Sequence, residues 1–118
     1  MNEQKPSLFS PGVGKSGMNE LHYAAYCGDF DGMLKALALG LSVSATDTYR
    51  GYTALHWLTD MAATGGPRLR MLEALVAHGA DINARSSDRQ TPLVLAREAG
   101  SKMGDRLADR LLSLGALE

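Results

Sequence analysis

The sequence is poor in cysteine and in net charge, and each shortage excludes a class of protein. Cys27 is the only cysteine among 118 residues. The chain can therefore form neither an internal disulfide nor a zinc site built on several cysteines. With 12 basic and 13 acidic residues, the formal net charge is −1, which gives no overall attraction to nucleic acid or to an anionic membrane. These shortages favour an ordinary single globular domain.

Long apolar runs are missing as well. The first residues, MNEQKPSLFSPG, lack the basic region and following apolar run of a signal peptide. No apolar stretch approaches the ~20 residues that a membrane-spanning helix needs. The sequence therefore predicts a cytoplasmic protein without a membrane partner.

The stretch SPGVGKSG at residues 10–17 resembles a phosphate-binding loop, because glycines precede a lysine and a serine. A Walker-type loop would need glycine where Phe9 stands, and it would follow a buried strand. The polar, proline-containing residues before Phe9 do not have the pattern of such a strand. We therefore expect residues 1–13 to form a flexible leader or to lie across the exposed end of the first repeat. The domain should span 14–118, and no nucleotide cofactor should bind.

Internal repeats dominate the rest of the chain. Three segments, MNELHYAAYCGDF, YTALHWLTDMAAT and QTPLVLAREAGSK, align on leucines that are 34 and 38 residues apart. These anchor leucines are Leu21, Leu55 and Leu93. A glycine that follows a leucine-rich stretch recurs in phase with them, at Gly40, Gly79 and Gly115.

Each repeat carries the start and stop signals of two short helices. Asn19, Thr53 and Thr91 stand two residues before the anchor leucines, and such side chains cap the first turn of a helix. Pro92 suits the first helical position, and the recurring glycines suit helix ends. The unit is therefore turn, helix, helix, turn, and about three such units are the minimum for a stable stack.

The run HGADINA followed by QTPLVLA resembles the ankyrin repeat, whose signature is T-P-L-H-x-A followed by G-A-D-x-N-A. The resemblance covers residues 17–118. It implies an all-α solenoid of three helix-turn-helix units joined by hairpin-like turns. The expected repeats are about 17–46, 50–85 and 88–118. Departures include about five extra residues near AATGG, about three near SKM, and Arg89 where the family usually has glycine.

The same resemblance implies a binding surface for another protein on the turn tips and on the concave face of the first helices. Carried over by position, it comprises Tyr26, Thr46, Tyr49, Arg50, Tyr52, Asp60, Met61, Arg85, Asp88, Arg89, Gln90 and Glu98. The segment TDTYRGYT at 46–53 stands out, because tyrosine and arginine are enriched among interface hot spots. The alternative is that Tyr52 packs on the neighbouring turn and Arg50 is merely solvated.

Other conspicuous residues have structural interpretations. His22 and His56 occupy equivalent positions, so they should lie as far apart as packed helices, roughly 8–10 Å. Two nitrogens on one zinc ion lie within ~4 Å of each other, so no metal site is expected. The resemblance gives these histidines a structural role in bonding the neighbouring turn. Trp57 either packs between repeats or is partly exposed beside the groove, and Cys27 is expected to be an inert thiol.

No arrangement of residues indicates an enzyme, and no cofactor is expected. The C-terminal helix, GDRLADRLLSLG, separates apolar from charged residues and is predicted to give the stack a polar, complete end. The inserted AATGG loop is either a second contact or a tolerated loop. The leading hypothesis is an adaptor or inhibitor that binds one protein. The alternative is a structural protein that self-associates through its weakly capped first repeat.

Overall fold

The computed structural model describes residues 17–117 of the chain. The leader 1–13, the residues 10–16 of the loop that resembles a phosphate-binding motif, and Glu118 lie outside the described residues. The predictions made for them therefore remain predictions.

The described residues form six α-helices in three antiparallel pairs, which confirms the predicted all-α solenoid. A 3-10 turn at Ala62–Thr64 interrupts the second pair. The helices are α1 (Glu20–Cys27), α2 (Phe30–Ala38), α3 (Ala54–Asp60), α4 (Arg68–Ala77), α5 (Pro92–Glu98) and α6 (Lys102–Ser113). Helices α1, α3 and α5 stack as one layer, and α2, α4 and α6 stack as a second layer.

The first helix of each pair begins at its predicted cap. The side chains of Asn19, Thr53 and Thr91 accept hydrogen bonds from the backbone N–H groups of the residues three places on. Pro92 occupies the first turn of α5 as predicted. These caps fix where each pair starts, and so they set the register of the stack.

The second helix of each pair ends two residues before a glycine in the left-handed region. The φ angles of Gly40, Gly79 and Gly115 are 87°, 89° and 101°. Glycine adopts this conformation without the Cβ clash of other residues, and it turns the chain sharply toward the next repeat.

The core lies between the two helical layers. The anchor leucines Leu21, Leu55 and Leu93 are each buried, as are Leu72 of α4 and Leu107 of α6. Burying one such side chain stabilises the fold by roughly 1.5–3 kcal/mol. The repeated leucine thus locks each helix pair against the next.

Both buried histidines tie a helix to a turn, as the family resemblance implied. In each ring Nδ1 accepts the N-cap backbone N–H, from Asn19 or Thr53, at 3.0 Å. Nε2 bonds a backbone carbonyl of the following turn, Ala45 for His22 at 2.8 Å and Gln90 for His56 at 2.9 Å. Since both nitrogens of each ring bind backbone, the rings are structural. Burial lowers the pKa of both histidines.

The C-terminal helix has the predicted two faces. Leu107 and Leu111 are buried, while Asp105, Arg106 and Asp109 are exposed. Arg110 keeps a partly exposed side chain and also reaches across to α4, where its Nη2 donates to Glu73 Oε1 at 3.1 Å. Its long side chain spans the two outer helices, so the pair joins repeats 2 and 3.

Within residues 17–117, no helix has both the length and the apolar character needed to cross a membrane.

Candidate protein-binding surface

Two stacked turns form one edge of the molecule, and we call them the first finger (46–52) and the second finger (85–90). Each is closed at its base by a backbone hydrogen bond: Asp47 N–H to Tyr52 at 3.0 Å, and Ser86 N–H to Gln90 at 2.9 Å. A bond from Ser87 N–H to the Arg50 carbonyl, 2.8 Å long, joins the two fingers. Side chains at the fingertips are thus displayed from a connected backbone.

A buried carboxylate organises the first finger. Asp47 is 3% exposed. Its Oδ1 accepts from the backbone N–H groups of Arg50 and Tyr52 at 2.9 and 3.2 Å. Its Oδ2 accepts from the indole N–H of Trp57 at 2.7 Å. The sequence analysis overlooked Asp47, although an aspartate just before a tight turn commonly accepts N–H groups of that turn.

The prediction that Tyr52 is an exposed contact residue is wrong. Its side chain is 2% exposed, because the ring stacks on His56 at 5.1 Å and meets Trp57 edge-on at 4.9 Å. Burial raises the pKa of the Tyr52 hydroxyl. Tyr52 therefore serves the surface indirectly, by supporting the residue beside it.

Arg50 is the residue that Tyr52 supports. Its Nη1 donates to the Tyr52 hydroxyl at 3.1 Å and lies 3.9 Å from the Asp60 carboxylate. Its guanidinium carbon lies 5.3 Å from the centre of the Tyr49 ring, which is within cation–π range. Hydrogen bonds to Tyr52 and Tyr49 raise the pKa of Arg50. Arg50 is thus an exposed cation held in place from several sides, and Tyr49 beside it is 64% exposed.

Aromatic contacts continue from the first finger onto the first helix layer. Tyr26 meets Trp57 edge-on at 5.5 Å and stacks on Tyr23 at 6.0 Å. Trp57 is buried, so the interpretation that it packs between repeats is correct. Tyr26, which is 37% exposed, extends the aromatic surface away from Arg50. Edge-on and offset aromatic pairs of this kind add stability beyond their buried area.

Comparison with known proteins identifies this architecture. A model of the family "Ankyrin repeats (3 copies)" matches residues 21–116. The chain belongs to the ankyrin-repeat family. Ankyrin repeats generally act as modules for protein–protein interaction.

The chain is similar to parts of longer proteins. The chain is 33% identical over 93 residues to the human ARF GTPase-activating protein GIT1, covering 79% of this chain and 11% of that protein. It is 39% identical over 75 residues to ankyrin repeat-containing protein P1E11.10 of Schizosaccharomyces pombe, covering 64% of this chain and 33% of that protein. The chain therefore spans a third or less of the length of these relatives.

The ankyrin architecture places most of the predicted contact residues at the surface. Tyr26, Thr46, Tyr49, Arg50, Arg85, Asp88, Arg89 and Glu98 are exposed, and Asp60, Met61 and Gln90 are half-buried. The structure brings Tyr49, Arg50 and Asp60 together. Arg85 and Arg89 instead line a separate hollow on the second finger.

The inserted loop of this ankyrin chain surrounds a residue that the sequence analysis did not single out. Arg68, the first residue of α4, is completely buried. Its guanidinium donates five hydrogen bonds, all to uncharged oxygens. The acceptors are the carbonyls of Ala25 at 2.8 Å, Tyr26 at 3.0 Å, Leu58 at 3.0 Å and Gly65 at 2.6 Å, and the hydroxyl of Thr64 at 2.6 Å.

Three of those carbonyls belong to the last turns of α1 and α3, where the helix itself supplies few donors. Of these, the Ala25 carbonyl also accepts the Gly28 N–H at 3.4 Å. A cation at this position also suits the negative end of both helix dipoles. Gly28 and Gly66 allow the loop to close over it, since a Cβ on Gly66 would lie 2.5 Å from the Gly28 carbonyl oxygen. The insertion therefore has a structural use, as the loop that shapes a buried helix cap.

The N-terminal end of the stack differs from the polar α6 end. A groove of about 640 Å³ runs between α1 and α2, and its lining includes Tyr23, Ala36 and Leu39. Leu39 is 69% exposed, and Leu34 on the same helix is also exposed. Glu20, Asp29 and Lys35 border the groove. Among residues 17–117, this end of the stack therefore presents exposed leucines beside charged residues.

Proposed function

We propose that this ankyrin chain is a non-enzymatic, cytoplasmic module that binds one protein through its fingertips and concave face, as an adaptor or an inhibitor. The observation that carries the proposal is the arrangement around Arg50. An exposed arginine and the exposed Tyr49 are held in advance by a buried tyrosine and by Asp60. Preorganised tyrosine and arginine side chains lose little freedom on binding, which is why they serve as hot spots.

The described residues give no support to a catalytic role. Among residues 17–117, no group of three or more histidine, cysteine, aspartate or glutamate side chains is placed to hold a metal ion. Both buried histidines bond backbone groups, and the buried Asp47 is occupied by three donors. The chemistry of the chain is therefore best suited to recognition by surface complementarity.

The proposal is tested by affinity capture from lysate of the source organism. The bait carrying Tyr49→Ala and Arg50→Glu should lose a protein that the wild-type bait retains. A matched bait, Arg106→Glu on the exposed face of α6, should retain it. All three baits should show the same helical circular dichroism. Equal capture by all three would contradict the assigned surface.

The N-terminal groove supports a second candidate function, self-association without a separate partner. A two-fold dimer requires a surface that is complementary to itself. Lys35 of one copy can face Asp29 or Glu20 of the other, while Leu39 and Ala36 supply apolar area between them. Light scattering over a range of concentrations should then show a dimer that Leu39→Asp abolishes. A monomer at every concentration would exclude this candidate.

A further inference from the structure

The second finger carries a small hollow that is separate from the surface around Arg50. We call it the arginine hollow. It has a volume of about 200 Å³, and its lining consists of Asn83, Arg85, Arg89, Thr91, Val94 and Leu117. A volume of this size accommodates one side chain of a partner but not a nucleotide.

The polar groups of the arginine hollow are mainly donors. The Asn83 side-chain oxygen already accepts the Leu117 backbone N–H at 2.9 Å, so its amide NH₂ group remains to donate. The Thr91 oxygen accepts the Val94 N–H at 3.3 Å, and its hydroxyl hydrogen can still be donated. Two guanidinium groups complete the polar lining, and among residues 17–117 no carboxylate lines the hollow. Such a set favours a ligand that brings acceptor oxygens and negative charge.

The backbone at Arg89 points independently to a use for its side chain. Arg89 has φ 63°, and it is the only residue other than glycine with a positive φ within residues 17–117. The corresponding position of the first finger is Gly51, with φ 69°. A non-glycine residue is disfavoured in this conformation, and such strain concentrates at functional positions. The second finger thus carries an arginine at a position that glycine would fill with less strain.

We propose that the arginine hollow binds one acidic side chain of a protein partner, with an adjacent apolar residue of that partner against Val94 and Leu117. This inference rests on the proposed protein-binding function and names the chemistry of part of the partner. Asp88 is exposed on the same finger, so the charged side chains of the second finger, Arg85, Asp88 and Arg89, sum to +1. The remaining excess matches a single carboxylate better than a polyphosphate.

The test is a nuclear magnetic resonance titration of the full chain, labelled with nitrogen-15, by the peptide acetyl-Leu-Glu-Leu-amide. The matched peptide contains glutamine in place of glutamate. The glutamate peptide should give saturable shifts of the Asn83 side-chain NH₂, the Thr91 N–H and the Arg89 Nε–H. The glutamine peptide should bind at least tenfold more weakly. Equal binding of both peptides would overturn the proposal.

Two variants separate binding from folding. Arg89→Gly should weaken binding of the glutamate peptide at least tenfold, because it removes the guanidinium group. It should also raise the melting temperature of the chain, because it removes the backbone strain. Arg85→Gln should weaken binding without that rise. Arg70→Gln, an exposed arginine on α4, should change neither quantity. Unchanged peptide affinity in Arg89→Gly and Arg85→Gln would overturn the proposal.

Inorganic phosphate and acetate distinguish a peptide site from a general anion site. If either reproduces the same shifts with the affinity of the peptide, the apolar wall contributes nothing and the proposal fails. The result is independent of the capture experiment on Tyr49 and Arg50. Loss of captured protein in that experiment with no peptide binding here would retain the proposed function and reject only the arginine hollow.

Discussion

The two junctions between repeats are built from different chemistry. The junction of repeats 1 and 2 contains two buried charged groups, Asp47 on the finger side and Arg68 on the opposite side. At the junction of repeats 2 and 3, Ser86 takes the place of Asp47 in the second finger. Within repeat 3, Ala99, Gly100 and Ser101 join α5 to α6, and Lys102 at the start of α6 is exposed.

This difference shows how a divergent repeat keeps its helix ends satisfied. Asp47 accepts N–H groups of the turn and of Trp57, while Arg68 donates to carbonyls at the ends of α1 and α3. Buried polar groups need such partners, because each one left without a hydrogen bond destabilises the fold. The first junction therefore contains two buried charged side chains. The second has the neutral Ser86 in its finger, and its ion pair, Arg110 with Glu73, lies partly exposed on the outer helices.

Among the changes considered, replacing Arg68 at the first junction should destabilise the fold most. Arg68→Met removes five hydrogen bonds. The buried Leu58 carbonyl loses its Arg68 donor, and the buried Ala25 carbonyl keeps only the long bond of 3.4 Å from the Gly28 N–H. At about 1–3 kcal/mol for each unsatisfied buried group, we expect the free energy of unfolding to fall by about 3–5 kcal/mol. Urea denaturation followed by circular dichroism measures this change.

The matched control for that variant is Arg70→Met. Arg70 lies two residues further along α4 and is exposed. Its effect should stay within about 0.5 kcal/mol, as is usual for surface substitutions. If Arg68→Met and Arg70→Met were equally stable, Arg68 would not be the cap described above.

Replacing Asp47 or Ser86 by alanine should destabilise the fold less than Arg68→Met does, and the loss should be larger for Asp47 than for Ser86. Asp47→Ala removes an acceptor of three hydrogen bonds, whereas Ser86→Ala removes the acceptor of one, from Gln90 N–H at 3.1 Å. At roughly 1 kcal/mol per bond, we expect losses of about 2–4 and about 1 kcal/mol respectively. Trp57, the only tryptophan, should also change its emission in the Asp47 variant alone. Equal losses in the two variants would contradict the contrast between fingers.

The sequence predicted the regular parts of this molecule better than its special ones. The caps at Asn19, Thr53 and Thr91 are local signals that depend on a few neighbouring residues, and all three were found. Arg68 could not be found in this way, because its acceptors on α1 lie 42 and 43 residues away in the chain. Similarly, tyrosine is a residue type enriched at interfaces, and only the packing of Tyr52 against His56 and Trp57 shows that it is buried.

The last prediction concerns how the free energy of unfolding depends on pH through the two buried histidines, His22 and His56. Burial lowers the folded pKa of His22 and His56 below the usual value of 6.5. Their backbone hydrogen bonds and the nearby Asp47 act in the opposite direction on both, as does Asp60 on His56. The unfolded chain therefore binds more protons below pH 6.5 than the folded chain does. This contribution to stability is complete above pH 6.5 and is lost as the pH falls toward the folded pKa values.

We expect the free energy of unfolding to decline between pH 6.5 and 5, by at most about 1.4 kcal/mol per pH unit for each histidine. Urea midpoints measured across this range for wild type, His22→Gln and His56→Gln test this. Each variant should have a shallower slope than wild type, whatever its stability at pH 7. His22 bonds Ala45, the residue just before the first finger, and His56 bonds Gln90 of the second finger, so the two slopes compare these attachments directly. An unchanged slope in both variants would assign the acid sensitivity to carboxylates instead.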